Sequence, residues 1–290
     1  MRVKIRDYPC FKGIETKITP EIEASLGLKF PQTYLEAEPM AKAALAVQAG
    51  NDSTYAVLPF CHTVEGDAFG GKVNYGDARI GPRGAEPILN KLEEVLGLAD
   101  FDLENGRIKE VLDAVSLLKK EGAKVMLEVS GPVTVLNIVI DPKEIFINMR
   151  KQPELMAKVY EKLSRNLIAY MKEAWRRGVD MISYADSAAA VDIIGSRMLS
   201  GFVDDFVYPF FKKLEGEMGE RDVIHLCPKT AYALIDCEKA DVVELPVDTE
   251  LTYGETLELA RGKERFIGCR CINNIKSPML TGKLDCLKLK

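Results

Sequence analysis

The sequence predicts an α/β fold of the TIM (β/α)8-barrel type. From about residue 55 onward, short apolar runs alternate with amphipathic helical stretches. The 290 residues also hold nearly as many such units as an eight-stranded barrel of about 250 residues needs. Repeated strand–helix units imply parallel strands joined by right-handed crossovers. A doubly wound open sheet is the alternative. No Gly-x-Gly-x-x-Gly opens a helix after a strand, so nothing points to a dinucleotide.

Six strands are legible, and residues 2–5 offer a seventh. Residues 55–60 form the first apolar run. Helices are predicted over 86–96 and 108–121, the second with Ile108, Val111, Leu112, Val115 and Leu118 on one face and Gly122 at its end. The next strand, 125–129, closes at Ser130-Gly131-Pro132, which reads as a tight turn where a ligand can approach the backbone. A helix near 142–149 precedes the clearest one, 153–177, with Pro153 in its first turn and Leu155, Val159, Leu163 and Leu167 as its apolar stripe. Strand 181–185 ends at Asp186. Helix 202–214, strand 222–226, helix 229–236, strand 241–245, helix 256–261 and strand 265–271 follow. The expected organisation is a single barrel-like domain: first elements over 1–50, barrel core over 51–282, tail over 283–290.

Composition narrows the function. Apolar residues make up 47% and charged residues 29%, ordinary for a soluble globular chain. The net charge of −5 is spread out and no basic stripe appears, which argues against nucleic acid. No apolar run reaches membrane-spanning length and the N-terminal residues lack a signal-peptide core, so a cytoplasmic protein is expected. The seven cysteines are odd in number and scattered, which suits free thiols and metal ligands better than a disulfide framework.

The most pointed motif is Val223-Ile224-His225-Leu226-Cys227, an apolar strand ending in one of the chain's two histidines and a cysteine. Residues i and i+2 of a strand face the same side. His225 and Cys227 can thus offer an imidazole and a thiolate to one point, two thirds of a typical catalytic zinc site. The bland alternative is a buried histidine beside an inert thiol. Barrel enzymes carry their chemistry where strands end. There the sequence places Cys61, His62, Glu65 and Asp67, then Ser130-Gly131-Pro132, then Asp186, then His225 and Cys227, then Glu244 and Asp248, then Cys269 and Cys271. Glu65, Asp67 and Asp186 have a rival role as helix caps. His62 reads as a surface histidine, and Cys269 and Cys271 as core residues before ligands.

Several of these segments carry a resemblance. Pro59-Phe60-Cys61-His62-Thr63-Val64-Glu65-Gly66-Asp67-Ala68-Phe69-Gly70 resembles the Pro-Phe/Tyr-Cys-x-Thr-Val-Glu-Ala-Glu-Ala-x-Gly segment of methylcobamide:coenzyme M methyltransferases, in the uroporphyrinogen decarboxylase superfamily. Ser130-Gly131-Pro132-Val133-Thr134, Pro153-Glu154-Leu155, Asp186-Ser187-Ala188-Ala189 and Pro209-Phe210-Phe211-Lys212-Lys213 ahead of His225-Leu226-Cys227 are similar too. The resemblance spans roughly residues 20–282. It implies a TIM barrel with a catalytic zinc held by His-x-Cys and a distant cysteine in a Gly-Cys-Gly context. This sequence has no Gly-Cys-Gly and looks shortened at both termini, with the last strand–helix unit missing. Cys271, at a strand end, is the favoured substitute, with Cys286 behind it and a two-ligand site or an inactive homologue as further readings.

The resemblance implies transfer of a methyl group between a methylcobamide on a partner corrinoid protein and a zinc-activated thiol such as coenzyme M. His225, Cys227 and Cys271 would be ligands, and Asp186 and Glu65 would orient substrate or relay the thiol proton. A metal-free decarboxylase is the rival within the superfamily, although its Arg-Gln-Ala-Gly-Arg segment is absent here. A non-catalytic, truncated paralogue is the rival outside it. The sequence leaves the oligomeric state open, although an incomplete barrel exposes strand edges that invite pairing, a homodimer being one such outcome.

Overall fold

A seven-stranded sheet organises the computed structural model, which describes residues 3–10 and 17–290. The strands are β1 (Ala56–Leu58), β2 (Val73–Asn74), β3 (Arg83–Gly84), β4 (Val125–Ser130), β5 (Met181–Ala185), β6 (Ile224–Leu226), β7 (Ala240–Pro246), β8 (Phe266–Ile267) and β9 (Lys283–Leu289). β2 and β3 form a separate antiparallel ribbon. The main sheet runs β1-β4-β5-β6-β8-β9-β7. Strands β1, β4, β5, β6 and β8 pair in parallel.

These parallel strands are nearly continuous apolar runs because helices cover the sheet. All of β1 and β6 is buried. Helix Gly106–Lys120 buries the predicted stripe from Ile108 to Leu118. Helix Pro153–Arg176 buries Val159, Leu163 and Leu167 completely and begins on proline, whose missing N–H costs nothing there. Among the described residues no helix is long and apolar enough to cross a membrane.

Five expectations are corrected. Residues 86–96 are not an α-helix: the Ile88 and Leu89 amides bond the Val139 carbonyl, and only a 3-10 segment, Leu92–Gly97, follows. Of the proposed strand at 2–5, residues 3–5 are not in a strand and residue 2 lies outside the described residues. Gly131-Pro132 opens helix Pro132–Val139 instead of a simple turn; the helix is apolar on nearly every side and buried, which hid its period from the sequence. Strand 265–271 shrinks to β8, so Cys269 and Cys271 lie beyond it, Cys269 with a left-handed φ of 67°.

The fifth correction concerns 241–245 and the tail. Residues 283–290 supply β9, which inserts antiparallel between β8 and β7 and pairs Cys286 with both Ile267 and Val243. β7 therefore lies at the edge of the sheet, with Val242 43% exposed, instead of between β6 and β8. The described strands do not close on themselves: β1 and β7 are the two edges.

Candidate active site at the carboxyl ends of the strands

Parallel strands deliver their last residues to one end of the sheet, and the predicted site residues come from those ends. His225 lies within β6 and is fully buried. Its Nδ1 is 2.9 Å from Ser183 Oγ on β5, and its Nε2 is 3.0 Å from the Arg270 carbonyl oxygen. Burial pulls the imidazole down to about 4, so it is neutral near pH 7. A carbonyl can only accept. Nε2 therefore carries the proton and Nδ1 accepts from the serine hydroxyl.

Cys227 precedes helix Pro228–Asp236. Burial pushes its thiol up to about 12, against the opposing pull of the Lys229 amide and with a further push from the neighbouring Cys271. Cys271 also donates its backbone N–H to the Tyr8 hydroxyl. Cys227 and Cys271 are thus close enough to act on one another electrostatically. Cys286 is outside this pair: it is buried in β9 and interacts with Cys269. The donor types, imidazole and thiol, suit zinc. The arrangement does not gather them, since among the described residues no three His, Cys, Asp or Glu side chains converge as metal ligands. Both His225 nitrogens are also occupied by protein bonds.

The carboxylates have definite partners. Asp186 follows β5 and caps helix Pro132–Val139. Its Oδ1 accepts from Thr134 N at 2.8 Å and Thr134 Oγ1 at 2.7 Å, and its Oδ2 from Val133 N at 3.0 Å. Burial outweighs these bonds and raises the carboxyl to about 6. Gly131 is required here, because a Cβ would collide with the Asp186 side chain and the Tyr184 hydroxyl. The close approach foreseen for a ligand is made by a neighbouring strand's own side chain.

Glu65 is buried and its Oε1 accepts from Ser130 N at 2.9 Å. Burial pushes its carboxyl up, as it does that of Glu128 on β4. His62, expected on the surface, is half-buried and close enough to bias Glu65, Glu128 and Asp186. Gly66 stands where the methyltransferase pattern has alanine, and Ile138 fills the space a Cβ would need. Glu244 is on the edge strand β7, paired with Lys283, and Asp248 bonds the Glu250 amide, so neither joins the other carboxylates.

Arg107 was not foreseen. Its guanidinium is buried under Tyr75, with Nε donating to Tyr34 O at 2.9 Å, Nη1 to Thr63 Oγ1 at 2.8 Å and Nη2 to Cys61 Sγ at 2.9 Å. Asp67 Oδ2 lies 3.8 Å from Nη1 and accepts from Tyr75 OH at 2.9 Å. The sequence signal was faint: polar Cys61, Thr63 and Asp67 follow a buried strand and need a donor.

The uroporphyrinogen decarboxylase (URO-D) family profile matches residues 16–286. Methylcobamide:CoM methyltransferase MtaA of Methanosarcina barkeri is 27% identical over 275 residues, 92% of this chain and 78% of that protein. Methylcobamide:CoM methyltransferase MtbA of Methanosarcina mazei is 25% identical over 281 residues, 95% and 76% respectively. A solved methyltransferase from Methanosarcina mazei superposes with a TM-score of 0.63 at 24% identity, over 76% of this chain; the chain spans 66% of that structure. With strand–helix alternation and a parallel sheet whose strand ends carry the polar residues, the chain has a TIM-barrel-type fold and belongs to the uroporphyrinogen decarboxylase family.

Proposed function

We propose that this protein is a corrinoid-dependent methyltransferase, moving a methyl group between a methylcobamide on a partner corrinoid protein and a thiol such as coenzyme M. The observation that carries the reading is its likeness, over 92% and 95% of the chain, to two relatives named as methylcobamide:CoM methyltransferases. His225, Cys227 and Cys271 are the proposed zinc ligands, on the strength of their donor types and the nearness of Cys227 to Cys271. Zinc, when bound, would favour the thiolate form of a coordinated thiol. Loading it requires His225 to release Ser183 or the Arg270 carbonyl. Glu65 and Asp186 are the proposed acid–base groups: burial has raised both carboxyls, Asp186 into a range where it can take and return a proton.

The test is a methylcobalamin demethylation assay with coenzyme M and other thiols, run beside metal analysis. The reading expects methylated thiol, about one zinc per chain, and loss of both in His225→Ala and Cys227→Ala. A folded protein that transfers no methyl group to any thiol and holds no zinc would refute it.

A further inference from the structure

A cavity of about 490 Å³, lined by neither His225 nor Cys227, lies between helix Pro142–Lys151, the start of helix Pro153–Arg176 and helix Val191–Phe202. Its size is that of an ordinary small-molecule site. Met156, Met198 and Phe202 belong to its apolar lining; methionine side chains adapt readily to a ligand's shape. Arg150 and Arg197 enter it from two different helices, and neither guanidinium has an ion-pair or hydrogen-bond partner among the described residues.

Tyr160 supplies a second, independent mark. It is 4% exposed, lines the cavity, and its hydroxyl has no hydrogen-bond partner among the described residues. Burial, then Asp186 and Asp205, push its phenol far up, so it stays a hydrogen-bond donor. Asp205 shares the cavity and is the charge that opposes an anion; burial, and then Asp204 beside it, raise its carboxyl. Two cationic forks and a phenol against one carboxylate leave the rim net positive above an apolar floor.

We propose that this cavity binds an organic anion with an apolar body, its acidic head held by Arg150, Arg197 and Tyr160 and its body laid on Met156, Met198 and Phe202. The site does not depend on the methyl-transfer reading. Sodium octanesulfonate is a suitable probe, with octan-1-ol as the uncharged control, each titrated calorimetrically into the full-length protein. Saturable binding of one octanesulfonate per chain is expected, with octanol much weaker. The Arg150→Gln/Arg197→Gln variant should weaken the sulfonate about a hundredfold, roughly tenfold per charge-assisted contact. Tyr160→Phe should weaken it several-fold and leave octanol unchanged. Met198→Trp, which fills the cavity without touching its charges, should abolish binding. No saturable binding, or an affinity indifferent to the paired arginine change or to Met198→Trp in folded protein, overturns the site.

Discussion

Asp186 and Thr134, 52 positions apart in the sequence, are joined by two hydrogen bonds, one from the threonine amide and one from its hydroxyl. The bonds tie the end of β5 to the start of the helix that follows β4. Thr134→Ala keeps the amide bond and removes the other, so a loss of about 1 kcal/mol in urea unfolding is expected. Gly131→Ala should cost more, about 2–4 kcal/mol, because the new Cβ meets Asp186 and Tyr184 in a packed region. A Gly131→Ala protein as stable as the wild type would mean that Asp186 and Tyr184 can give way to the added methyl group.

The Asp186 carboxyl makes a pH prediction. Its native value, about 6, is above the ordinary 3.8, so the folded state holds its proton longer than the unfolded one. The cost of ionising it is absent below about pH 3.8, grows as pH rises and is complete above about 6. Relative to Asp186→Asn, the wild type should lose about 3 kcal/mol of stability between pH 3.5 and 7. Parallel unfolding curves for the two proteins across that range would exclude a raised carboxyl.

Arg107 should resist conservative replacement. Its fork reaches three separate acceptors, Tyr34 O, Thr63 Oγ1 and Cys61 Sγ, which a lysine ammonium cannot match in one position. Arg107→Lys is expected to destabilise by about 2–3 kcal/mol and Arg107→Met by about 3–5 kcal/mol, since the latter strips Asp67 of its nearby cation. Differential scanning calorimetry would show an unchanged melting temperature if the guanidinium were dispensable.

Much of the fold was legible where burial imposes a period. Leu155, Val159, Leu163 and Leu167 repeat at helical spacing, and the helix over Pro153–Arg176 follows. Pro132–Val139 could not be read so, because a helix buried all round has no polar face to mark its turn. β9 did carry a signal: Leu284 and Cys286 alternate with Lys283 and Asp285, a half-buried strand pattern in a segment expected to be a tail. The candidate residues could be assigned to the carboxyl ends of the strands, but their bonds were not legible. Nothing in the sequence says that Asp186 reaches across to Val133 and Thr134, or that His225 settles between Ser183 and Arg270. Such contacts depend on strand register, which appears only once neighbouring strands are paired.

Removing residues 283–290 should harm the protein more than an ordinary tail deletion. β8 would lose its antiparallel partner and β7 the strand that links it to the sheet. Unpaired edges of that kind template association between chains. The chain cut after Gly282 is expected to aggregate on light scattering or to melt well below the full chain. A monodisperse, equally stable truncation would assign β9 no structural weight.

Since β7 is hydrogen-bonded to the main sheet through β9, β9 cannot detach from β8 without severing β7 from the sheet as well. Cys286, fully buried in β9, then serves as a clock for that detachment. Its rate of capture by a thiol reagent, measured against the exposed Cys10, counts how often this margin of the sheet opens while the parallel strands stay shut.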